Sequence, residues 1–244
     1  MLGRVSLSIA AVALSAAHAW AGPIAQGQTN TENVLGSTSI YAVEGNNGGS
    51  GATPAIETTF AAAADNIFTF SASGLIGCCG PVDVNFTPDG ASGATNINPT
   101  NGLSGVFGDG RVPLVGVFTD GTNPFGGTAP ATLSHDRDGV GTDFSPLLFQ
   151  VFYIGDGRTG ANNAGGTVQT FNAPGTATKL FLGTADGFGF TGNPATFNDN
   201  GLSGTGFTVD VTLQAVNEVP VPAGVVLLAT GVLGLGALSR RPRS

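Results

Sequence analysis

Residues 207–213 (FTVDVTL) alternate apolar and polar side chains without a break. A period of two is typical of a β-strand that buries one face and exposes the other, so this segment predicts a strand in a half-buried sheet. The chain contains 40 glycine residues, which favour turns over helices. Outside the two ends it has no long segment with a helical period. The sequence therefore predicts an all-β fold of short strands joined by turns.

The same patterns place further strands along the body of the chain. Apolar or alternating runs occupy residues 66–71, 114–118 and 147–154. Residues 166–171 and 178–182 flank the turn sequence Asn-Ala-Pro-Gly, which predicts that they form a hairpin. For residues 22–217 we expect a jelly-roll-like antiparallel β-sandwich, flanked by an N-terminal signal-peptide helix and a C-terminal hydrophobic helix.

Residues 1–21 have the form of a secretory signal peptide. Arg4 precedes an apolar run, and two Ala-x-Ala sequences follow it, so the new N-terminus is either Trp20 or Gly22. We expect signal peptidase to remove this segment and the mature protein to work outside the cytoplasm.

Residues 218–244 combine a proline motif, an apolar span and a basic end. The span covers residues 223–238, which is short for a bilayer, where about 20 residues are usual. A basic cluster that follows such a span would hold this end in the cytoplasm. The motif consists of Val219, Pro220, Val221, Pro222 and Ala223, and the basic cluster includes Arg240 and Arg241.

This arrangement resembles the PEP-CTERM sorting signal in its V-P-x-P-A variant, with Val221 at the position of the usual Glu. The resemblance implies that an exosortase processes the tail after export through the inner membrane. It also implies transient anchoring by the C-terminal helix and delivery to the cell surface or extracellular matrix. An ordinary C-terminal membrane anchor is the alternative.

The charge of the body excludes several classes of partner. Four of the eight basic residues lie in the two ends, which leaves four against 15 of the 16 acidic side chains. Such a body repels nucleic acid and anionic lipid headgroups, and it attracts divalent cations. We therefore expect no nucleic-acid partner.

The glycine-rich loop before the alternating strand concentrates side-chain oxygens without any Lys or Arg. Oxygen ligands on a tightly turning backbone are what Ca²⁺ takes, so the loop predicts a calcium site. A polar surface loop between strands is the alternative interpretation. The oxygen-bearing residues are Asp186, Asn193, Thr196, Asn198, Asp199 and Asn200.

The order of these residues resembles the calcium-dependent bacterial galactose-binding lectins. By that resemblance, the side chains of Asp186, Asp199 and Asn200 and the carbonyls of Thr196 and Cys79 bind the ion. Asp199 stands where the family has the first Asn of an Asn-Asn pair, and Cys79 precedes a Gly-Pro sequence as the family's earlier carbonyl donor does.

The resemblance also implies a sugar site. Asp186, Asp199 and Asn200 would fix the ion, and two sugar hydroxyls would complete its oxygen shell. Asp89 lies in the region of the family's sugar-contacting His. The aromatic residues nearby that could offer an apolar face are Phe188, Phe190 and Phe197.

Two other groups of residues leave alternatives open. Cys78 and Cys79 are adjacent in an exported chain, so they could form a vicinal disulfide, remain thiols or pair between molecules. Asp136, Asp138 and Asp143 could form a second Ca²⁺ loop, although they lack the spacing of an EF-hand, or a solvated acidic loop that Arg137 partly balances.

The sequence gives little support to catalysis. His135 is the only imidazole outside the signal peptide, and no G-x-S-x-G elbow is present. We therefore expect a protein without enzymatic activity. The preferred function is calcium-dependent binding of extracellular glycans at the cell surface. The alternative is a structural protein of the matrix or envelope that has no ligand site.

Overall fold

The computed structural model of this chain describes residues 22–79, 84–200 and 206–215. The predicted signal peptide (1–21) and sorting tail (218–244), with Val219, Pro220, Pro222, Ala223, Arg240 and Arg241, lie outside the described residues. Within those three segments, no helix has the length and apolar character needed to cross a membrane.

The described chain is all-β, as predicted, and its strands form three mostly antiparallel sheets. The first sheet has the order β1 (Gln28–Val34), β14 (Gly206–Leu213), β3 (Ile67–Cys78), β11 (Thr170–Asn172) and β9 (Asp143–Phe144), with β4 (Val84–Phe86) paired to β3. The central sheet has the order β10 (Phe152–Tyr153), β7 (Leu114–Thr119), β12 (Lys179–Thr184) and β2 (Ile56–Thr59). The third sheet has the order β13 (Thr191–Gly192), β5 (Ala91–Ile97), β6 (Val106–Arg111) and β8 (Leu133–His135).

Strand β14 has the alternating burial that its sequence predicts. Phe207, Val209 and Val211 are buried, whereas Thr208 between them is exposed. The strand pairs antiparallel along its length with β1 on one side and with β3 on the other. This pairing extends β3 well beyond the predicted segment 66–71. Gly74 permits the extension, because a Cβ there would overlap the carbonyl oxygen of Gly206.

The central sheet is buried on both faces. In β7, Leu114 and Phe118 face a core shared with the first sheet, whereas Val115 and Val117 face a second core shared with the third sheet. A strand covered on both faces reads as a continuous apolar run, which is why segment 114–118 was recognisable in the sequence. The central sheet therefore lies between two apolar cores.

Two sequence predictions about strands are wrong. Segments 166–171 and 178–182 do not form a hairpin, because β11 pairs with β3 and β9 in the first sheet while β12 pairs with β7 and β2 in the central sheet. Segment 147–154 contributes only the two-residue strand β10. Its first half turns instead, with Phe149 at φ 62° and the Gln150 side chain accepting a hydrogen bond from the Leu147 N–H.

Phe171 provides a test of the first core. Its buried ring contacts Phe70, Phe144 and Phe152, with centroid distances of 5.1 to 5.2 Å. We expect Phe171→Ala to lower the free energy of unfolding by about 3–5 kcal/mol, because it removes a buried ring and leaves a cavity. Urea denaturation measures this loss.

The matched control for that variant is Val140→Ala, since Val140 is 86% exposed. A surface truncation of this kind changes stability by less than about 0.5 kcal/mol. Equal effects of the two substitutions would contradict the assignment of Phe171 to the core.

Candidate functional site

The loop between β12 and β14 carries the predicted calcium ligands, and local backbone contacts shape it. Asp186 follows the end of β12 by two residues, and its carbonyl accepts a hydrogen bond from the Ala195 N–H at 3.2 Å. Thr196 takes a left-handed conformation at φ 65° and begins a short 3₁₀ turn, Phe197–Asp199. This turn leads directly to Asn200, so the loop brings Asn200 back towards Asp186.

The loop brings three of the predicted side chains into contact. Asp186 Oδ2 accepts hydrogen bonds from Asn200 Nδ2 at 2.7 Å and from Thr196 Oγ1 at 3.4 Å. Asp186 Oδ1 accepts a further hydrogen bond from the Gly187 N–H at 2.7 Å. Asp186 is only 2% exposed and Asn200 is fully buried, so the cluster is shielded from water.

Within residues 22–79, 84–200 and 206–215, two oxygens of this cluster have no hydrogen-bond partner. They are Asn200 Oδ1 and Asp199 Oδ1, and both atoms are buried. A buried polar atom without a partner costs about 1–3 kcal/mol, so nearly all such atoms in proteins are satisfied. Carboxylate and amide oxygens are the ligand types that Ca²⁺ prefers. The donor set therefore fits a calcium ion.

The charge of the cluster is not balanced by protein cations. Among the described residues, no ion pair involves Asp186 or Asp199. Burial, with a smaller contribution from the Asp199 charge, raises the pKa of Asp186 to about 6, against hydrogen bonds from Asn200, Gly187 and Thr196 that lower it. A cation at this point would oppose the unfavourable burial of the carboxylate.

Cys79 lies at the end of β3, where it forms a disulfide with Cys78 across a Cα–Cα distance of 3.8 Å. Of the three pairing states that the sequence left open, this is the one present. No hydrogen bond of the described residues joins Cys79 to the Asp186 cluster. The role of the Cys79 carbonyl as a calcium ligand stays a prediction.

Asp89 belongs to a different cluster from Asp186. It is 1% exposed, and its carboxylate accepts hydrogen bonds from Tyr153 Oη at 3.0 Å, from the Asp156 N–H at 2.9 Å and from the Asn162 N–H at 2.7 Å. A carboxylate that is buried and satisfied in this way is not available to a sugar. This role of Asp89 could not be predicted from the sequence, because all three partners lie more than 60 residues away along the chain.

The predicted array of three aspartates is only partly assembled. Asp136 and Asp138 lie together, but the third member is Asp109, and the ligand atoms of the three lie within 4.8 Å of one another. Asp143 instead lies in β9 and accepts a hydrogen bond from Thr170 Oγ1. We refer to Asp109, Asp136 and Asp138 as the acidic triad, which is a possible metal site.

The sequence could not show the part that Asp109 plays. Strands β6 and β8 pair in parallel with Gly108 opposite His135, which places Asp109 beside Asp136. This register pairs residues that are far apart in sequence, so no local pattern could predict that Asp109 lies beside Asp136.

A larger groove of about 780 Å³ carries no comparable chemistry. Its walls are mostly apolar and include Pro130, Leu147, Leu148 and Pro174, and no titratable side chain lines it. The candidate functional sites are therefore the cluster around Asp186 and the acidic triad.

Comparison of this chain with known protein families, with curated proteins and with solved structures found no match.

The raised pKa of Asp186 predicts a pH dependence of stability in calcium-free buffer. Because the pKa is higher in the folded chain than its ordinary value of 3.8, the stabilisation is full below about pH 4 and is lost as pH rises through about 6. Asp156, whose pKa burial and the Asp89 charge also raise to about 6, adds a decline of the same sign. We expect Asp186→Asn to reduce the total decline between pH 4 and 7 by on the order of 2 kcal/mol.

Urea denaturation across this pH range measures the effect. The matched control is Asp65→Asn, which removes one carboxylate from an exposed position. An unchanged pH profile in Asp186→Asn would contradict the burial of a charged aspartate at this position.

Proposed function

We propose that this chain is an exported protein whose β-sandwich binds carbohydrate through a calcium ion held by the Asp186 loop. The observation that supports the proposal is the pair of buried, unpartnered oxygens, Asn200 Oδ1 and Asp199 Oδ1, beside the buried carboxylate of Asp186. Oxygen donors of this kind, with no protein cation to neutralise them, favour a hard divalent ion over an organic ligand.

The proposed ion would be held by three side chains and two carbonyls. Asp186, Asp199 and Asn200 supply the side-chain oxygens, and Thr196 and Cys79 supply the carbonyls. The Thr196 carbonyl already accepts a hydrogen bond from the Asp199 N–H at 3.1 Å, and a carbonyl oxygen retains a second lone pair for a cation. Ca²⁺ takes six to eight oxygen ligands, so this set leaves positions for ligand hydroxyls.

The sugar would complete the shell with two neighbouring hydroxyl groups. Phe188 is 82% exposed next to the cluster and offers an apolar face for the ring. Phe197 is fully buried and Phe190 already lies under the Arg111 guanidinium at 4.8 Å, so of the three predicted aromatic residues Phe188 is the accessible one.

The sandwich is supported by the packing of two sheets. The first sheet and the central sheet enclose one core, to which β14 contributes Val209 and Val211 and β12 contributes Leu180 and Leu182. Two antiparallel sheets that share a core in this way form the basis of a jelly-roll-like arrangement.

The proposed location depends on the sequence patterns of the two ends. Signal peptidase would release the chain after export, and an exosortase would process the tail at the proline motif. The C-terminal helix would anchor the chain in the inner membrane until that step. The binding site would then act on glycans at the cell surface or in the extracellular matrix.

Isothermal titration calorimetry with Ca²⁺ tests the metal site. We expect saturable binding that Asp186→Ala and Asn200→Ala each abolish, because each variant removes side-chain donors. Asn198→Ala is the matched control, since Asn198 lies on the same turn with an exposed side chain. Calcium at about 100 times its dissociation constant should stabilise the protein by about 2.7 kcal/mol.

The sugar is tested by titrating galactose into the calcium-loaded protein and into the protein treated with chelator. Heat should appear only with calcium present. The alternative is a structural protein with no ligand site. It would be supported if neither Ca²⁺ nor galactose produced heat and if chelator left the melting temperature unchanged.

A further inference from the structure

A small cavity of about 190 Å³ lies next to the acidic triad and shares Asp136 with it. Aromatic side chains form much of its wall, including Phe144, Phe152 and Tyr153. His135 also lines it, and its ring stacks on Tyr153 with a centroid distance of 4.8 Å and an interplanar angle of 8°. At about 30 Å³ for each water, the cavity has room for about six water molecules, a volume comparable with that of a monosaccharide.

Two residues of the cavity wall have a buried polar atom with no hydrogen-bond partner in the part of the chain that the structure describes. Gln169 is only 5% exposed, and its Nε2 donates to the Gly141 carbonyl at 2.9 Å, which leaves Oε1 unpaired. His135 Nε2 is the second such atom. Both residues line the same cavity. Buried unpartnered atoms on the wall of one cavity indicate a missing ligand.

The unpaired atoms are hydrogen-bond acceptors. His135 lies opposite Gly108 of β6, and its Nδ1 is next to Gly108. Backbone groups of Phe107 and Asp109 hydrogen bond the ring. A ring N–H on Nδ1 leaves Nε2 as an acceptor. With Gln169 Oε1 and the Asp136 carboxylate, the cavity offers three acceptors.

The surroundings of the cavity are negatively charged. The acidic triad contributes three carboxylates. Within the described segments, the triad's one ion pair is with Arg137, whose Nε lies 3.8 Å from Asp138 Oδ1. The Asp136 carboxylate accepts a hydrogen bond from the Asp138 N–H at 3.0 Å but has no cationic partner of its own. One guanidinium does not balance three carboxylates, so a positive ligand is favoured.

We propose that this cavity binds a primary ammonium group carried on a body the size of one sugar ring, and that its ligand class is the amino sugars. An ammonium group provides three donors for the three acceptors and supplies the missing positive charge. Aromatic faces also attract such a cation. A neutral sugar would satisfy the acceptors but not the charge, and a bare metal ion would make no use of the aromatic wall. This site is independent of the proposed calcium site.

The test compares ligands of nearly equal shape that differ in charge. Glucosamine, glucose and N-acetylglucosamine are titrated separately into the purified full chain at pH 7 by calorimetry. We expect glucosamine to bind at least about tenfold more tightly than glucose, and N-acetylglucosamine to bind no better than glucose, because acetylation removes the charge.

Three variants connect the binding to the cavity. Asp136→Asn keeps the shape of the side chain and should weaken glucosamine binding at least about tenfold by removing the nearest charge. Asp143→Asn, the matched control outside the cavity, should bind as wild type does. Ser134→Trp fills the cavity from an exposed position without removing a charge and should block binding even if Asp136→Asn fails to fold. Melting curves verify that each variant is folded.

Three results would overturn the proposal. Equal affinity for glucose and glucosamine would identify a neutral polyol site. Binding of Ca²⁺ or Mn²⁺ that Asp136→Asn removes and glucosamine does not displace would identify a metal site at the triad. No binding of any probe would leave a cavity filled by water. Glucosamine binding should be the same with and without chelator, so failure of the calcium proposal would not be mistaken for failure of this one.

Discussion

The burial of the central sheet on both faces is the constraint on which the structure depends. Because side chains alternate along a strand, β7 sends Leu114 and Phe118 into one core and Val115 and Val117 into the other. Neither outer sheet could bury its apolar face without this shared layer. A change of register by one residue in β7 would therefore exchange the side chains of both cores at once.

The Asp186 cluster connects this layer to the first sheet. Asp186 follows β12 of the central sheet, and the segment after Asn200 leads to β14 of the first sheet. The hydrogen bond between Asp186 and Asn200 therefore joins the end of β12 to the segment that leads into β14. A buried carboxylate beside a second carboxylate is unfavourable without a cation. The proposed calcium site therefore depends on the same contact that ties the two layers together.

How much the sequence could predict depended on the distance along the chain between interacting residues. The strand at residues 207–213 and the run at 114–118 were predictable because their patterns are local. Asp186, Thr196 and Asn200 are also close in sequence, so their contacts could be predicted from the local sequence. The position of Asp109 and the burial of Asp89 were not, because each depends on strand register or on partners many residues away. The false hairpin arose in the same way, since local turn residues do not show which sheet each strand joins.

The pairing of β1 with β14 has a consequence for the order of folding. Thr29 and Thr212, which share a hydrogen bond across these strands, are separated by 183 positions along the chain. Closing so long a loop is entropically costly, and contacts of this range slow folding. During synthesis, β1 remains an unpaired edge strand until β14 has emerged. The sequence of β1 (QTNTENV) is polar and largely exposed, which disfavours pairing of this edge with a strand of a neighbouring chain.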